Sequence, residues 1–425
     1  MRVDRLVLQD FRGIRLLDLE LRSPVTVLAG ANGSGKSTVL QALAALLWRV
    51  GGTIRDGGRE REPLQAHDVR NNCPFALLLA NTDWTAEGQG RVDWGLRVTR
   101  MLSKATRKLD SVKVRPQANF LGSVAKQIRE RLTEQPESAV PLAVFYRTNR
   151  AVLDIPLRIK TRHVFDQLAA FDEALDGGWS SFRLFFEWFR EREDIENEAK
   201  ARSLAHSDPV LDAVRAAVTA LMPDFANLRV QRNPLGMRVD KDGVELDIAQ
   251  LSDGEKCLLA MTADIARRLA LANPSLGNPL LAEAVVLIDE IELHLHPRWQ
   301  RQVLPNLRQT FPNCQFVVST HSPQVLASVP HEAVYLLHKN GDEVAATRPS
   351  ASYGRETNEI LLELMGTEAR PGEIQRRLDE MFRLIDAGDL TAAHRLREAL
   401  QREIGADDHE FTRADMLLRV RGAGR

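Results

Sequence analysis

The chain has 425 residues, of which 44% are hydrophobic and 27% are charged, a composition typical of globular domains. This length predicts either one large α/β domain with an insertion or two domains. The formal net charge is −1, which excludes a global field that draws the protein to nucleic acid or membranes, so any basic surface must be local.

The cysteines and the N-terminus favour a cytoplasmic location. Cys73, Cys257 and Cys314 lie far apart and form no ligand pair, which suits a reducing compartment. No apolar segment follows Met1, and no run of about 18 apolar residues occurs. We therefore expect no membrane partner.

The first elements along the chain are predicted strands. Residues 2–22 alternate as two strands around Phe11-Arg12-Gly13. Residues 25–29 form an apolar run that predicts a buried strand, and residues 39–47 predict an apolar helix. Between them lies Gly30-Ala31-Asn32-Gly33-Ser34-Gly35-Lys36-Ser37-Thr38.

This loop fits the pattern G-x-x-x-x-G-K-S/T in its strand–loop–helix context. Gly33 and Gly35 let backbone N–H groups approach phosphate oxygens, and the helix N-terminus adds partial positive charge. Lys36 supplies a charge for the β- and γ-phosphates, and the Ser37 hydroxyl is suited to ligating Mg²⁺. The loop therefore predicts a nucleoside triphosphate site.

The middle of the chain mixes strands, a basic stretch and helices. Residues 75–80 and 91–100 are predicted strands with a turn at Asn81-Thr82-Asp83. The stretch 91–115 holds eight basic and two acidic residues, which fits either a solvated face or a DNA or RNA contact. Residues 122–135 and 163–222 are predicted to be mostly helical.

An aromatic cluster lies within the second of these helical blocks. Its spacing along a helix favours core packing over a platform for stacking bases. Its members are Phe182, Phe185, Phe186, Trp188 and Phe189.

The second half predicts more of a buried sheet. A hairpin is expected around Lys241-Asp242-Gly243, followed by a helix over 253–272. Apolar strands are predicted at 285–288, 316–319 and 334–337, and a helical tail at 372–417 with breaks near Gly388 and Gly405. Apolar runs separated by helices indicate a mainly parallel sheet and an α/β fold.

Two acidic residues follow one of these strands. A carboxylate at the carboxyl edge of the sheet, such as Asp289, can hold Mg²⁺ or its waters. Glu290 is suited to orienting and polarising the attacking water. His321, in Ser319-Thr320-His321-Ser322-Pro323, follows another buried strand and is suited to sensing the γ-phosphate as a neutral imidazole.

The segment Leu251-Ser252-Asp253-Gly254-Glu255-Lys256 has two compatible interpretations. Ser252 and Glu255 form a capping-box pattern at the start of a helix. A capped helix N-terminus with a close-lying glycine, Gly254, is also an anion site. Because Lys36 already serves its own nucleotide, this segment is suited to meeting the γ-phosphate of a second protomer.

Together these motifs carry a family resemblance. The phosphate loop, the segment around Ser252, the Asp289-Glu290 strand and the His321 loop, in this order, resemble the ATP-binding-cassette (ABC) ATPases of the SMC/RecF-like branch. Phe11-Arg12-Gly13 and the stretch 292–297 also resemble this branch. The stretches 188–200, 250–274, 287–300 and 353–356 resemble the ATPase subunits of Septu-type and retron-associated bacterial antiphage systems.

The resemblance implies an ABC ATPase head that binds ATP and Mg²⁺ as a head-to-head dimer around two ATPs, with higher assembly open. It implies that Asp289 supports the metal, Glu290 acts on water and His321 is the switch histidine. Gln65 is the candidate for a glutamine that completes the Mg²⁺ contacts. The residues expected at phosphate or its partner-side contact are Arg12, Asn32, Gly33, Ser34, Gly35, Lys36, Ser37, Thr38, Ser252, Gly254 and Glu255. Asp253 stands where the commoner family pattern has glycine.

The same resemblance implies how the chain is organised and what it controls. We expect an N-terminal lobe (1–80), an insertion of strands and helices (81–234), a C-terminal lobe (235–345) and a helical tail (346–425). The implied partner is an HNH-type nuclease or a reverse transcriptase with its noncoding RNA. The implied role is control of this effector in antiphage defence.

Four other interpretations were weighed. Asp289, His294 and His296 provide too few aligned ligands for a transition-metal site, since histidines two apart on a helix do not share a face. A nuclease centre within this chain lacks a strand-borne glutamate followed by a D-x-D pair. A transporter motor lacks a membrane-coupling region. A RecF-like repair ATPase that clamps DNA without a toxic partner uses the same nucleotide chemistry and stays open.

Overall fold

A computed structural model describes residues 1–56, 64–100, 118–148, 165–175, 180–203, 205–341, 343–367 and 370–422. These residues form two compact units, Met1–Thr357 and Asn358–Arg425. The first unit holds all the strands described below, and the second is helical.

The strands of the first unit fall into three sheets. In chain order they are β1 (Arg2–Phe11), β2 (Ile14–Glu20), β3 (Val25–Ala29), β4 (Phe75–Trp84), β5 (Gly90–Thr99), β6 (Leu142–Tyr146), β7 (Phe225–Arg232), β8 (Leu235–Lys241), β9 (Val244–Asp247), β10 (Ala284–Ile288), β11 (Gln315–Thr320), β12 (Val334–Asn340) and β13 (Glu343–Thr347).

The helices cover the sheets and make up the second unit. They are α1 (Lys36–Asp56), α2 (Ala118–Glu134), α3 (Ser180–Arg202), α4 (Pro209–Leu221), α5 (Asp253–Ala272), α6 (Pro297–Thr310), α7 (Pro323–Leu326), α8 (Thr357–Glu363), α9 (Gly372–Ala387), α10 (Leu390–Ile404) and α11 (His409–Gly422).

The central sheet has the order β13-β12-β3-β11-β10-β6, and it is parallel except for the antiparallel edge pair β12–β13. Every residue of β3, β10 and β11 is buried, as continuous apolar runs in a parallel sheet require. The predicted mixed, mainly parallel α/β fold is therefore confirmed. The carboxyl ends of these three strands, at Ala29, Ile288 and Thr320, meet at one edge.

The four-stranded antiparallel sheet has the order β2-β1-β4-β5. The predicted turn at residues 81–83 is wrong, because β4 continues to Trp84. The indole N–H groups of Trp84 and Trp94 both donate to the Thr82 hydroxyl, at 2.6 and 2.7 Å, inside the core. A buried Thr82 that satisfies two indoles cannot serve as an exposed turn.

Several elements between the phosphate loop and α5 were not predicted. Strand β6 lies within the segment expected to be an insertion, yet it pairs with β10 as an edge of the central sheet. Strand β7 pairs with β8 of the expected hairpin, giving a third sheet, β7-β8-β9. A five-residue apolar run such as β6 is too short to distinguish from a buried helix segment by periodicity.

The aromatic cluster on α3 is part of the core, as predicted. Phe185, Phe186, Trp188 and Phe189 are all buried, and Phe185 and Phe189 lie with ring centroids 5.5 Å apart. The side chain of Phe182 lies outside the described residues. Burial leaves the described rings no face for a nucleobase.

The basic stretch is only partly described. Residues 101–117, which hold most of its lysines and arginines, lie outside the described residues. Within the described part, Arg91 pairs with Asp4 at 2.9 Å, and the Arg97 guanidinium lies 4.3 Å from the ring centroid of Phe75. These two arginines are engaged within the fold.

The second unit has a core of its own. Helices α9, α10 and α11 pack around buried apolar residues that include Met381, Leu400 and Phe411. Gly388 ends α9 in the left-handed conformation, the usual glycine helix end. The unit begins at residue 358. The segment before it belongs to the first unit, where Ser352 Oγ donates to the Val329 carbonyl and Gly354 N donates to the Ala327 carbonyl.

One described helix is long and apolar enough to cross a membrane. It is the Lys36–Arg55 part of α1, and 67% of its most apolar window is buried within this fold. Core helices of globular domains pass the same test of length and composition.

Candidate nucleotide-binding site

The loop between β3 and α1 has a backbone that only glycine adopts without strain. Gly30, Gly33 and Gly35 have positive φ angles of 143°, 77° and 102°, which residues with a side chain avoid. A Cβ atom on Gly30 would also lie 2.3 Å from the Leu337 carbonyl oxygen. The three glycines therefore allow the tight curvature of this loop.

Lys36 is buried and turned into this loop. Its Nζ donates to the carbonyl oxygens of Gly30 at 2.9 Å and Ala31 at 3.0 Å. Burial lowers the pKa of Lys36, and Asp289 and Glu290 partly offset that shift. An ammonium inside a ring of backbone groups is suited to an anionic ligand.

Other loop residues differ in exposure. Ser34 is buried, and among the described residues its Oγ has no hydrogen-bond partner. A buried hydroxyl without a partner is costly unless a ligand supplies one, so Ser34 fits a phosphate oxygen. Asn32 and Gly33 are exposed at the tip of the loop, and Thr38 is half-buried on the first turn of α1.

Asp289 connects the start of α1 to strand β11 through hydrogen bonds. Its Oδ1 accepts hydrogen bonds from Ser37 Oγ at 3.1 Å and from Ser319 Oγ at 2.5 Å. Its backbone N–H donates to the Tyr146 carbonyl of β6 at 2.8 Å. A carboxylate beside a hydroxyl is the donor set that Mg²⁺ prefers, so the residues present fit this ion.

Glu290 has an unusual backbone. Its φ is +47°, a left-handed conformation that costs about 1 kcal/mol or more for a residue with a side chain and that clusters at active sites. Its N–H donates to Ser319 Oγ at 2.8 Å, which holds this conformation. The side chain is half-buried.

His321 follows β11 at the same edge of the sheet and is half-buried. Burial and the nearby Lys36 charge lower its pKa, and Glu292 partly offsets that shift. The lowered pKa favours the neutral imidazole at pH 7, which can accept or donate a hydrogen bond.

Glu292 is a residue of the site that sequence reasoning missed. Its carboxylate accepts from the His321 backbone N–H at 2.5 Å and from Thr320 Oγ1 at 2.8 Å. Its position three residues after Asp289 was the available sequence signal for a role in the site. Nothing in the sequence connected Glu292 to Thr320, which lies 28 residues further along the chain at the end of β11.

Arg12 and Gln65 belong to one hydrogen-bond network. Arg12 Nε donates to the buried Asp68 Oδ1 at 2.8 Å, and the Gln65 N–H donates to Asp68 Oδ2 at 2.8 Å. Arg12 also donates to Gln41 of α1. This network connects both predicted residues to α1, the helix that carries Ser37. The Gln65 side chain itself is exposed.

The segment before α5 is a capping box, as predicted. The Glu255 N–H donates to Ser252 Oγ at 3.4 Å, and the Ser252 N–H donates to Glu255 Oε2 at 2.9 Å. Glu255 also pairs with Lys241 at 2.6 Å. Burial raises the pKa of Glu255, but the bonds from Lys241 and Ser252 outweigh it, so that the net shift is downward.

Gly254 is needed for a close approach of two backbones. A Cβ there would lie 2.2 Å from the His294 carbonyl oxygen. The start of α5 therefore rests on the turn that follows Asp289 and Glu290. Ser252 itself is exposed, and it is available to a second molecule.

The transition-metal alternative finds no support. In the part of the chain that the structure describes, no group of three His, Cys, Asp or Glu side chains could hold a metal ion. The reason from helix geometry was wrong, since His294 and His296 precede α6. His296 instead caps α6, with its Nδ1 accepting from the Arg298 N–H at 3.3 Å.

A known protein is similar to this chain along nearly its whole length. The "Retron Ec83 probable ATPase" of Escherichia coli is 30% identical, over 99% of this chain and 87% of the relative. The chain belongs to the SMC/RecF-like ATPase family that includes the retron ATPases. It is therefore an ATPase of a nucleotide-binding family.

Two family models match parts of the chain. Residues 133–327 match "AAA domain, putative AbiEii toxin, Type IV TA system", and residues 5–204 match "AAA domain". The "Septu protein PtuA" of Bacillus mycoides is 35% identical over 23% of this chain and 13% of that protein. The SMC head domain from Thermotoga maritima aligns with 16% identity and a TM-score of 0.45, covering 83% of this chain and all of that one.

Proposed function

We propose that this ATPase binds ATP with Mg²⁺ at the edge of the central sheet and hydrolyses it as a head-to-head dimer. The observation that carries the proposal is the bond between Ser37 Oγ and Asp289 Oδ1 at 3.1 Å. It joins residues 252 positions apart at the opening of the phosphate loop. We further propose that the head is built from residues 1–80 and 235–345, with β6 at its edge.

Each residue of the site has a proposed task. Lys36 leaves its two carbonyl partners to bind the β- and γ-phosphates, and Ser34 gains an acceptor. Ser37 and Asp289 hold Mg²⁺, which when bound neutralises phosphate charge. Gln65 and Arg12, which both bond to Asp68, are proposed to approach the bound nucleotide from that side. Asn32 is proposed to approach it from the tip of the loop.

The water that attacks the γ-phosphate is oriented by Glu290. Ser319 holds the left-handed backbone of Glu290 through the bond to the Glu290 N–H. His321, whose pKa is lowered by burial and Lys36, donates a hydrogen bond to the γ-phosphate. Positioned groups of this kind act without forming a covalent intermediate.

The second copy completes the site. Ser252 is exposed at a capped helix N-terminus, and such a terminus favours anions. We propose that Ser252, Gly254 and Glu255 of one protomer close over the ATP held by its partner. ATP binding then favours the closed dimer, and hydrolysis releases it.

The cellular role follows from the relatives. Because a relative with 30% identity over 99% of the chain is named a retron ATPase, we propose that this protein works in the cytoplasm in antiphage defence. Its proposed partner is an HNH-type nuclease or a reverse transcriptase with its noncoding RNA, which it restrains until infection.

One pair of variants tests this function. Glu290→Gln keeps the shape of the residue but removes the carboxylate, so it should bind ATP, accumulate as a dimer and fail to turn ATP over. In cells that carry the native operon it should also lose protection in a phage plating assay. Glu283→Gln, on an exposed glutamate, is the control.

ATP turnover by Glu290→Gln at the wild-type rate would refute the mechanism. Loss of turnover with full protection would refute the proposal that ATP hydrolysis by this protein controls the defence effector.

A further inference from the structure

Glu292 bridges two loops that carry the reacting groups. It lies in the turn after β10, two residues beyond Glu290. One carboxylate oxygen accepts from the His321 backbone N–H, in the loop after β11, at 2.5 Å, and the other accepts from the hydroxyl of the fully buried Thr320, the last residue of β11, at 2.8 Å. Bonds to a carboxylate are about twice as strong as neutral ones, so Glu292 fixes the backbone from which the imidazole projects.

A second link lies on the other side of His321. Ser322 Oγ donates to Gln300 Oε1 at 2.6 Å, and Gln300 Nε2 donates to the Leu295 carbonyl at 2.7 Å. The turn 291–296 therefore holds the His321 loop from both sides. A displacement of this turn moves His321 with it.

The same turn supports the start of α5. Gly254 lies against the His294 carbonyl so closely that no Cβ fits between them. The segment proposed to contact the partner's nucleotide thus rests on the turn that carries Glu292.

We propose that Glu292 is a positioning residue, which holds His321 against the nucleotide of its own site. This inference rests on the proposed function.

A double-mutant cycle tests the positioning role. Glu292→Ala should lower kcat by about 10- to 100-fold, the cost of a misplaced reacting group, with the ATP Kd and the Tm nearly unchanged. Glu292→Gln keeps one acceptor oxygen and should recover part of kcat. In a His321→Ala background, Glu292→Ala should have no further effect, because residues that act as one unit are not additive.

The outcomes separate this inference from the function on which it rests. Glu332→Ala, an exposed glutamate beside a histidine, is the control and should behave as wild type. If the Glu292 and His321 effects multiply, or if Glu292→Ala alone has wild-type kcat, the positioning role is overturned while the ATPase mechanism stands. Wild-type kcat in His321→Ala would overturn the proposed role of the histidine itself.

Discussion

Ser319 holds Asp289 and Glu290 with a single hydroxyl. Its Oγ donates to Asp289 Oδ1 at 2.5 Å and accepts from the Glu290 N–H at 2.8 Å. Ser319 is fully buried at the end of β11, so the neighbouring strand determines where both acids lie. One buried side chain thereby contacts both the proposed metal-binding group and the proposed water-orienting group.

The first prediction concerns this hydroxyl. Ser319→Ala leaves the Glu290 N–H without this acceptor and removes one hydrogen bond to the Asp289 carboxylate, so kcat should fall by about 10- to 100-fold while ATP still binds. The lost buried bonds should also cost about 1–3 kcal/mol of unfolding free energy. Steady-state kinetics and urea unfolding measure both effects.

Ser328→Ala is the matched control, because its hydroxyl also donates a local bond, to the Val325 carbonyl at 2.7 Å, away from the acids. Equal kcat in Ser319→Ala and Ser328→Ala would show that the hydroxyl does not position the acids.

Removal of the loop lysine tests nucleotide binding. Lys36→Ala deletes the charge held at the centre of the loop, so the ATP Kd should rise above about 1 mM. Isothermal titration with ATP measures it, with the exposed Lys126→Ala as the control. Micromolar affinity in Lys36→Ala would contradict the assignment of the loop.

The stability of the first unit should depend on pH through Glu196. Burial opposes its ionisation, but hydrogen bonds from Arg215 and from the Asp208 N–H lower the pKa of Glu196 to about 2. Because this folded-state pKa lies below the ordinary value of 4.5, the charged carboxylate stabilises the fold above pH 4.5, and that contribution is lost as the pH falls toward 2.

Glu196→Gln should therefore lower the free energy of unfolding at pH 7 and differ less from wild type as the pH falls. Urea unfolding at pH 7, 4 and 3 measures this trend, with the exposed Glu198→Gln as the control. A difference that stays constant over this range would contradict the linkage.

The start of α5 should govern pairing. Ser252→Arg adds bulk and charge where the partner's nucleotide is expected, so this variant should bind ATP but stay monomeric by light scattering. Ser252→Ala also removes the helix cap, which costs about 1 kcal/mol, but adds no bulk, so it should still dimerise. An ATP-bound dimer of Ser252→Arg would place the interface elsewhere.

The sequence identified the groups whose chemistry depends on local context. Lys36 and Ser37 follow a glycine pattern between a strand and a helix, and Asp289 ends an apolar run, so their neighbourhoods were readable from spacing. The capping pair Ser252 and Glu255 is likewise local, and both capping bonds are present.

The groups that depend on strand order were not readable. Glu292 and Ser319 act across the β10–β11 pair, whose register, with Ile288 opposite Val318, is set by the whole sheet. The left-handed backbone of Glu290 has no sequence signal, because glutamate does not favour it. Strand β6 was missed because a short apolar run looks the same in a helix and in a strand.

The most direct test of the paired active site mixes two inactive variants. Ser252→Arg has an intact hydrolytic site but cannot cover a partner's ATP, and Glu290→Gln binds and covers ATP but cannot hydrolyse it. Mixed before ATP is added, they should form heterodimers with one complete site and recover ATP turnover that neither variant has alone. A mixture as inactive as its components, under conditions in which the wild-type protein turns ATP over, would contradict the claim that each copy completes the other's site.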